Sequence, residues 1–156
     1  MRFLRCIGVL LLIFFGVSRS STAAPIVIDF ETLTDSEIIT TQFPGLTFTN
    51  GIALSAGISL NEFEFPPYSG FNVASDDLGP LQIDFASPVD LVGGYFTYLE
   101  SITLQAFNPG NTLLGSVSSA FSSNLALSGD AGSVPNEFLT YSVGVRLAGS
   151  CRDQIE

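Results

Sequence analysis

Histidine and tryptophan are absent from this chain, and from Ala24 to Val145 there is no lysine, arginine or cysteine. Without histidine there is no Ser-His-Asp or Cys-His catalysis and none of the common zinc sites. Cys6 falls in an expected leader, so the exported chain carries one thiol, Cys151, and forms no internal disulfide. The scarcity of cations leaves Arg146 and Arg152 against fifteen acidic residues beyond the leader, a charge of −13. Such a surface repels phosphate backbones and anionic lipid, which argues against nucleic-acid binding. It favours cations and neutral or basic partners, and it keeps a secreted protein soluble.

What is present begins with an address. Arg2 and Arg5 precede an apolar run from Cys6 to Val17, and the small, polar "SRSSTAAP" follows. This is the three-part pattern of a secretory signal peptide over residues 1–23, cut after Ala23. The run of about 12 residues is short of the ~20 that span a bilayer, so no membrane span is expected after cleavage. About 133 residues remain, the size of one domain.

Period-two alternation runs through the rest. "PIVIDFETL" sets Ile26, Ile28 and Phe30 against Val27, Asp29 and Glu31, which predicts a first strand. Pro44-Gly45 suits a type II turn before a strand carrying Leu46 and Phe48. Leu81, Ile83 and Phe85 alternate with Gln82 and Asp84; Val89, Leu91, Gly93 and Tyr95 with Asp90, Val92, Gly94 and Phe96. The Gly93-Gly94 pair predicts a bulge or a close approach of another backbone. Ile102, Leu104 and Ala106 form the next strand, "NPGN" (108–111) a type II hairpin turn, and Leu113, Gly115 and Val117 the return. In "NEFLTYSVGV", Phe138, Thr140 and Ser142 oppose Leu139, Tyr141 and Val143. Eight or nine short strands and no helical period predict an all-β, antiparallel sandwich over 24–145, most simply a jelly roll of the galactose-binding or lectin-like kind. An immunoglobulin-like sandwich is the alternative.

Several of these segments resemble a family. Asp29-Phe30-Glu31, the spaced set Phe85, Pro88, Val89, Val92 and Gly93, and the strand from Thr103 to Ser116 are similar to the exosortase-sorted, PEP-CTERM-type exported proteins of bacteria. The resemblance covers roughly residues 26–143. It implies a secreted jelly-roll domain associated with the cell surface or extracellular polysaccharide. The family pattern then calls for an Asp-Asp-Leu last strand and a sorting signal, and "GVRLAGSCRDQIE" stands in their place. Residues 146–156 are accordingly read as an atypical tail, truncated or frame-shifted, that leaves the jelly roll incomplete at its C-terminal strand. An unpaired "IVIDFE" edge would then favour aggregation or oligomers.

Two constellations offer binding chemistry. Asp29 and Glu31 on one strand face, with Asp76 and Asp77 in "SDDLG", are oxygen donors of the kind a structural Ca²⁺ takes. Asp130 and Glu137 are loop alternatives, and solvated acids are the plainer reading. The segment "NEFEFPPYSGFN" carries Phe63, Phe65, Tyr68 and Phe71, rings able to stack on sugars, stiffened by Pro66-Pro67. Phe63 and Phe65 also alternate with Glu62 and Glu64, and a plain strand burying both is the competing reading. No pair of acids stands out as a glycosidase pair, so no catalytic residue is assigned. The expected role is binding or structural, in a secreted, non-enzymatic sandwich at a bacterial envelope or in its extracellular polysaccharide matrix. The alternatives are a carbohydrate-active enzyme or its binding module, and a nonfunctional fragment.

Overall fold

The computed structural model describes residues 25–147 and 150–155, with side chains as far as Ser142. The expected signal peptide lies outside the described residues. The fold is all-β, as the alternation predicts, and no helix occurs among the described residues. None is therefore long and apolar enough to cross a membrane. The strands are β1 (Ile38–Ile39), β2 (Leu46–Thr49), β3 (Gly51–Ser55), β4 (Asn72–Asp76), β5 (Gln82–Phe85), β6 (Val89–Phe96), β7 (Ile102–Phe107), β8 (Leu113–Ser118), β9 (Glu137–Leu147) and β10 (Ser150–Ile155). All their ladders are antiparallel.

One layer is a five-stranded sheet in the order β2-β5-β10-β7-β8. Facing it are two smaller sheets, β1-β3-β4 and β6-β9. Two apolar clusters fill the space between, which is the arrangement of a β-sandwich. In one, Leu33, Ile39, Phe48 and Ala53 are buried, with Phe30, Phe43, Leu46 and Ile83 packed on them. In the other, Tyr98, Ile102, Leu104 and Leu139 are buried beneath Phe85, Val92, Phe96, Val117 and Tyr141. Strand β5 joins the two, because Ile83 enters the first cluster and Phe85 the second. Burying a side chain such as Ile39 contributes about 1.5–3 kcal/mol.

The chain changes layers at Asn50, which takes a left-handed φ of 57° between β2 and β3. Its side chain donates to Pro80 O at 3.1 Å, and its carbonyl accepts from Asp77 N at 2.8 Å, which fixes the corner. At the next position a Cβ would lie 3.0 Å from Leu81 Cδ1, so the corner has little room beyond glycine.

Two expectations need correction. The "IVIDFE" segment is not a strand: residues 25–30 pair with nothing in a sheet, and Ile26 and Val27 are almost wholly exposed. Phe30 turns out of extended geometry with φ 60° and packs edge-on against Phe43, so the alternation ends in a core anchor. The "NPGN" turn is not type II, since its left-handed residue is Asn111 (φ 57°) and not Gly110. Asn108 Oδ1 accepts from Gly110 N and Thr112 N, and a register shift between Ala106 and Phe107 absorbs the extra residue. At Gly93-Gly94 the second of the two expected alternatives holds, since the irregularity in β6 lies between Val89 and Leu91. The close approach is there, for a Cβ on Gly93 would sit 3.0 Å from Leu139 O.

The tail also carries a ladder. Cys151 and Arg152 pair with Ile83 and Gln82 of β5 on one side and with Ala106 and Gln105 of β7 on the other.

Carboxylates tie the β1–β3 corner. Asp35 Oδ1 accepts from Ser55 N at 2.8 Å and from the Ser59 hydroxyl. Glu37 Oε2 accepts from Thr34 N at 2.9 Å, and its Oε1 from Gln42 Nε2 at 3.0 Å. The Ser59 hydroxyl and the Ser55 amide hold the Asp35 pKa below the usual carboxylate range, and the Thr34 amide does the same for Glu37. Both groups prefer the ionised form in the native state more than in the unfolded one. Their contribution is therefore full above the unfolded values of ~3.9 and ~4.3 and is lost as pH falls through the lower native values. We expect the melting temperature to fall on acidification below about pH 4, and Asp35→Asn to flatten that acid limb while lowering the melting temperature at neutral pH. An acid limb as steep in the variant as in the parent would overturn this assignment.

Candidate aromatic binding face

The loop from Asn61 to Phe71 does not form the competing strand, and it does not bury Phe63. Phe63 is 72% exposed and Phe71 70%, and only Phe65 is half-buried. The reason is that the glutamates of "EFEF" are spent on backbone. Glu64 Oε2 accepts from Leu127 N at 3.0 Å and Ser128 N at 3.2 Å, while Glu62 Oε2 accepts from Gly57 N at 3.1 Å. Asn136 Nδ2 donates to Pro66 O at 3.1 Å, so the loop is pinned before the proline pair and at its first member.

That pinning delivers Tyr68 to β6. Its ring stacks on Tyr95, with centroids 3.4 Å apart and planes within 6°. Tyr95 in turn meets Phe138, its cross-strand partner in β9, at 4.8 Å. The three rings make one row, and Tyr68 (59%) and Phe138 (52%) remain more than half exposed. Gly93 permits this geometry, because a Cβ there would lie 3.1 Å from Phe138 Cζ. The Tyr68 hydroxyl, as a hydrogen-bonding neighbour, and then partial desolvation push the Tyr95 pKa up.

The outer face of β6-β9 continues beyond the rings. Leu91 pairs with Ser142 and Gly93 with Thr140, all exposed. Thr140 Oγ1 donates to Val92 O at 3.1 Å, leaving its oxygen free to accept. The face thus combines ring surface with hydroxyls, and neither Leu91, Gly93, Tyr95, Phe138, Thr140 nor Ser142 carries a charge.

Beneath this sheet, polar groups hold the connections. Asn124, fully buried, accepts from Tyr98 N at 2.7 Å and donates to Phe96 O at 2.9 Å and Val134 O at 3.1 Å. Tyr98 donates its hydroxyl to Glu137, which also accepts from Ala120 N at 3.0 Å. Burial first, and Glu137 second, push the Tyr98 pKa up. Asp130 caps Ser122 N at 2.8 Å and Ser123 N at 3.2 Å.

The four acids considered for calcium are not brought together. Glu31 Oε1 accepts from Phe71 N and Asn72 N at 2.9 and 2.8 Å, at the start of β4. Asp76 ends the same strand four residues on, about 13 Å away at ~3.3 Å per residue. Asp77 follows beyond that end, and Asp29 accepts from Glu31 N at 3.2 Å, so its carboxylate closes a local turn. Among the described residues no three acidic or cysteine side chains group so as to hold a metal, so the residues present do not fit a Ca²⁺ cage. Of the four aromatic residues weighed from the sequence, Tyr68 joins the row, Phe63 and Phe71 are exposed on the same loop, and Phe65 is half-buried. Tyr95 and Phe138, which read as ordinary strand aromatics, belong to the site. The alternation hinted at Phe138 by setting it opposite buried Leu139.

No protein-family model, curated protein or solved structure matches the chain.

Proposed function

We propose that the protein is a secreted, non-catalytic jelly-roll sandwich that works by binding at a bacterial cell envelope or in its extracellular polysaccharide matrix, in the manner of the exosortase-sorted exported proteins it resembles. The observation that carries this reading is the exposed row of Tyr68, Tyr95 and Phe138 on the outer face of β6-β9. Exposed rings held in place by their neighbours lose little freedom on binding, and they offer apolar ring surface beside hydroxyl groups. Sugars present the complementary surface, C–H faces rimmed by hydroxyls.

The test is co-sedimentation of the exported chain with insoluble envelope and matrix polysaccharide, followed by assay for released oligosaccharide. Retention without release is expected. Release of oligosaccharide would turn the reading toward a carbohydrate-active enzyme, and failure to sediment with any polysaccharide would overturn it.

A further inference from the structure

On the basis of that reading, we propose that the ligand of this face is an uncharged polysaccharide chain, held by Tyr68, Tyr95 and Phe138, and that polymers rich in carboxylate or sulfate are refused. The first argument is charge. Recognition of a uronate or a sulfate calls for a nearby arginine or lysine. From Ala24 to Val145 there is none, and the exported chain carries −13. Arg146 lies in the same strand as Phe138 but eight residues along it, about 26 Å at ~3.3 Å per residue. An anionic polymer would approach an unrelieved negative field, whereas a neutral one feels none.

The second argument is shape and chemistry. The row of rings lies at one end of the outer face, and Leu91 with Ser142 lies at the other. From Phe138 to Ser142 the strand runs about 13 Å, longer than a single sugar ring, so the face suits a chain better than a monosaccharide. The Thr140 and Ser142 hydroxyls lie on the same face, the first free to accept and the second able to donate or accept, so both can bond a sugar hydroxyl without help from a charge. The third argument concerns the competing occupant. A second copy would have to bring a second −13 charge against the first, and self-repulsion of that size opposes a homodimer across this face.

The experiment is affinity electrophoresis of the whole exported chain through gels containing a neutral β-glucan, a neutral mannan or alginate, at low and high salt. Retardation by at least one neutral polymer, insensitive to salt, is expected, with none by alginate. Tyr68→Ala, in an exposed loop ring, should weaken that retardation about tenfold, as loss of one stacking anchor does. Tyr95→Phe keeps the stack and should lose less. Phe138→Ala should match Tyr68→Ala, and if it fails to fold the loop variant carries the comparison alone.

Retardation by alginate alone would overturn the neutral class and leave the polysaccharide reading standing. Retardation by no polymer would remove both. Wild-type behaviour of Tyr68→Ala would overturn the assignment of the face. A shift in the sedimentation coefficient of the free protein on Tyr68→Ala would assign the face to a second copy instead, and so overturn the proposal.

Discussion

Replacing Asn124 by alanine is expected to lower the melting temperature by about 10–20 °C, the equivalent of roughly 3–5 kcal/mol in a domain of this size. The side chain is fully buried and makes three hydrogen bonds to backbone groups of Phe96, Tyr98 and Val134. Removing it takes the partner from the buried Tyr98 N–H and from the part-buried Phe96 and Val134 carbonyls, at up to about 1–3 kcal/mol each before any relaxation. Asn124→Asp sharpens the test. It keeps the shape but turns the donor into an oxygen that faces two carbonyl oxygens, and it should destabilise at least as much at neutral pH. Thermal melts followed by near-ultraviolet dichroism would measure both variants. A melting temperature within about 2 °C of the parent for either one would show that Asn124 does not hold these segments together.

The second large effect is expected in β10. Arg152 is paired on both sides, with Gln82 and with Gln105. Proline there removes a ladder donor from a strand with neighbours on both edges, where it is scarcely tolerated, and should cost about 3 kcal/mol or more. Arg152→Ala leaves the backbone intact and serves as the control for loss of the side chain alone. Urea unfolding of the three chains separates the cases. A proline variant as stable as the alanine one would mean that the tail is not part of the five-stranded sheet.

The sequence was readable where burial follows local period. Ile102, Leu104 and Ala106 alternate with half-exposed neighbours, and the same pattern recurs around Leu139. Two residues mark where that logic stops. Ile26 and Val27 alternate as well as any strand does, yet a strand also needs a partner, and pattern alone does not supply one. Asn124 lies 26 residues from the amide it accepts from, with no periodic signal around it. The candidate face was half legible. Tyr68 stood out as an aromatic in a proline-stiffened loop, but its stacking on Tyr95 depends on Glu64 and Asn136 reaching across 63 and 70 residues. The acids considered for calcium show the same limit in reverse: Glu31 and Asp76, alike in type, are set at opposite ends of one strand.

Strand β10 comes last in the described chain but sits third of five in its sheet, between two strands made long before it. During synthesis β5 and β7 must therefore wait, each with an open edge, until β10 emerges. Closing that gap joins residues about 70 positions apart, the kind of non-local step that folds slowly. A nascent chain built this way stays loose until β10 has been made, and it leaves a holdase chaperone time to bind.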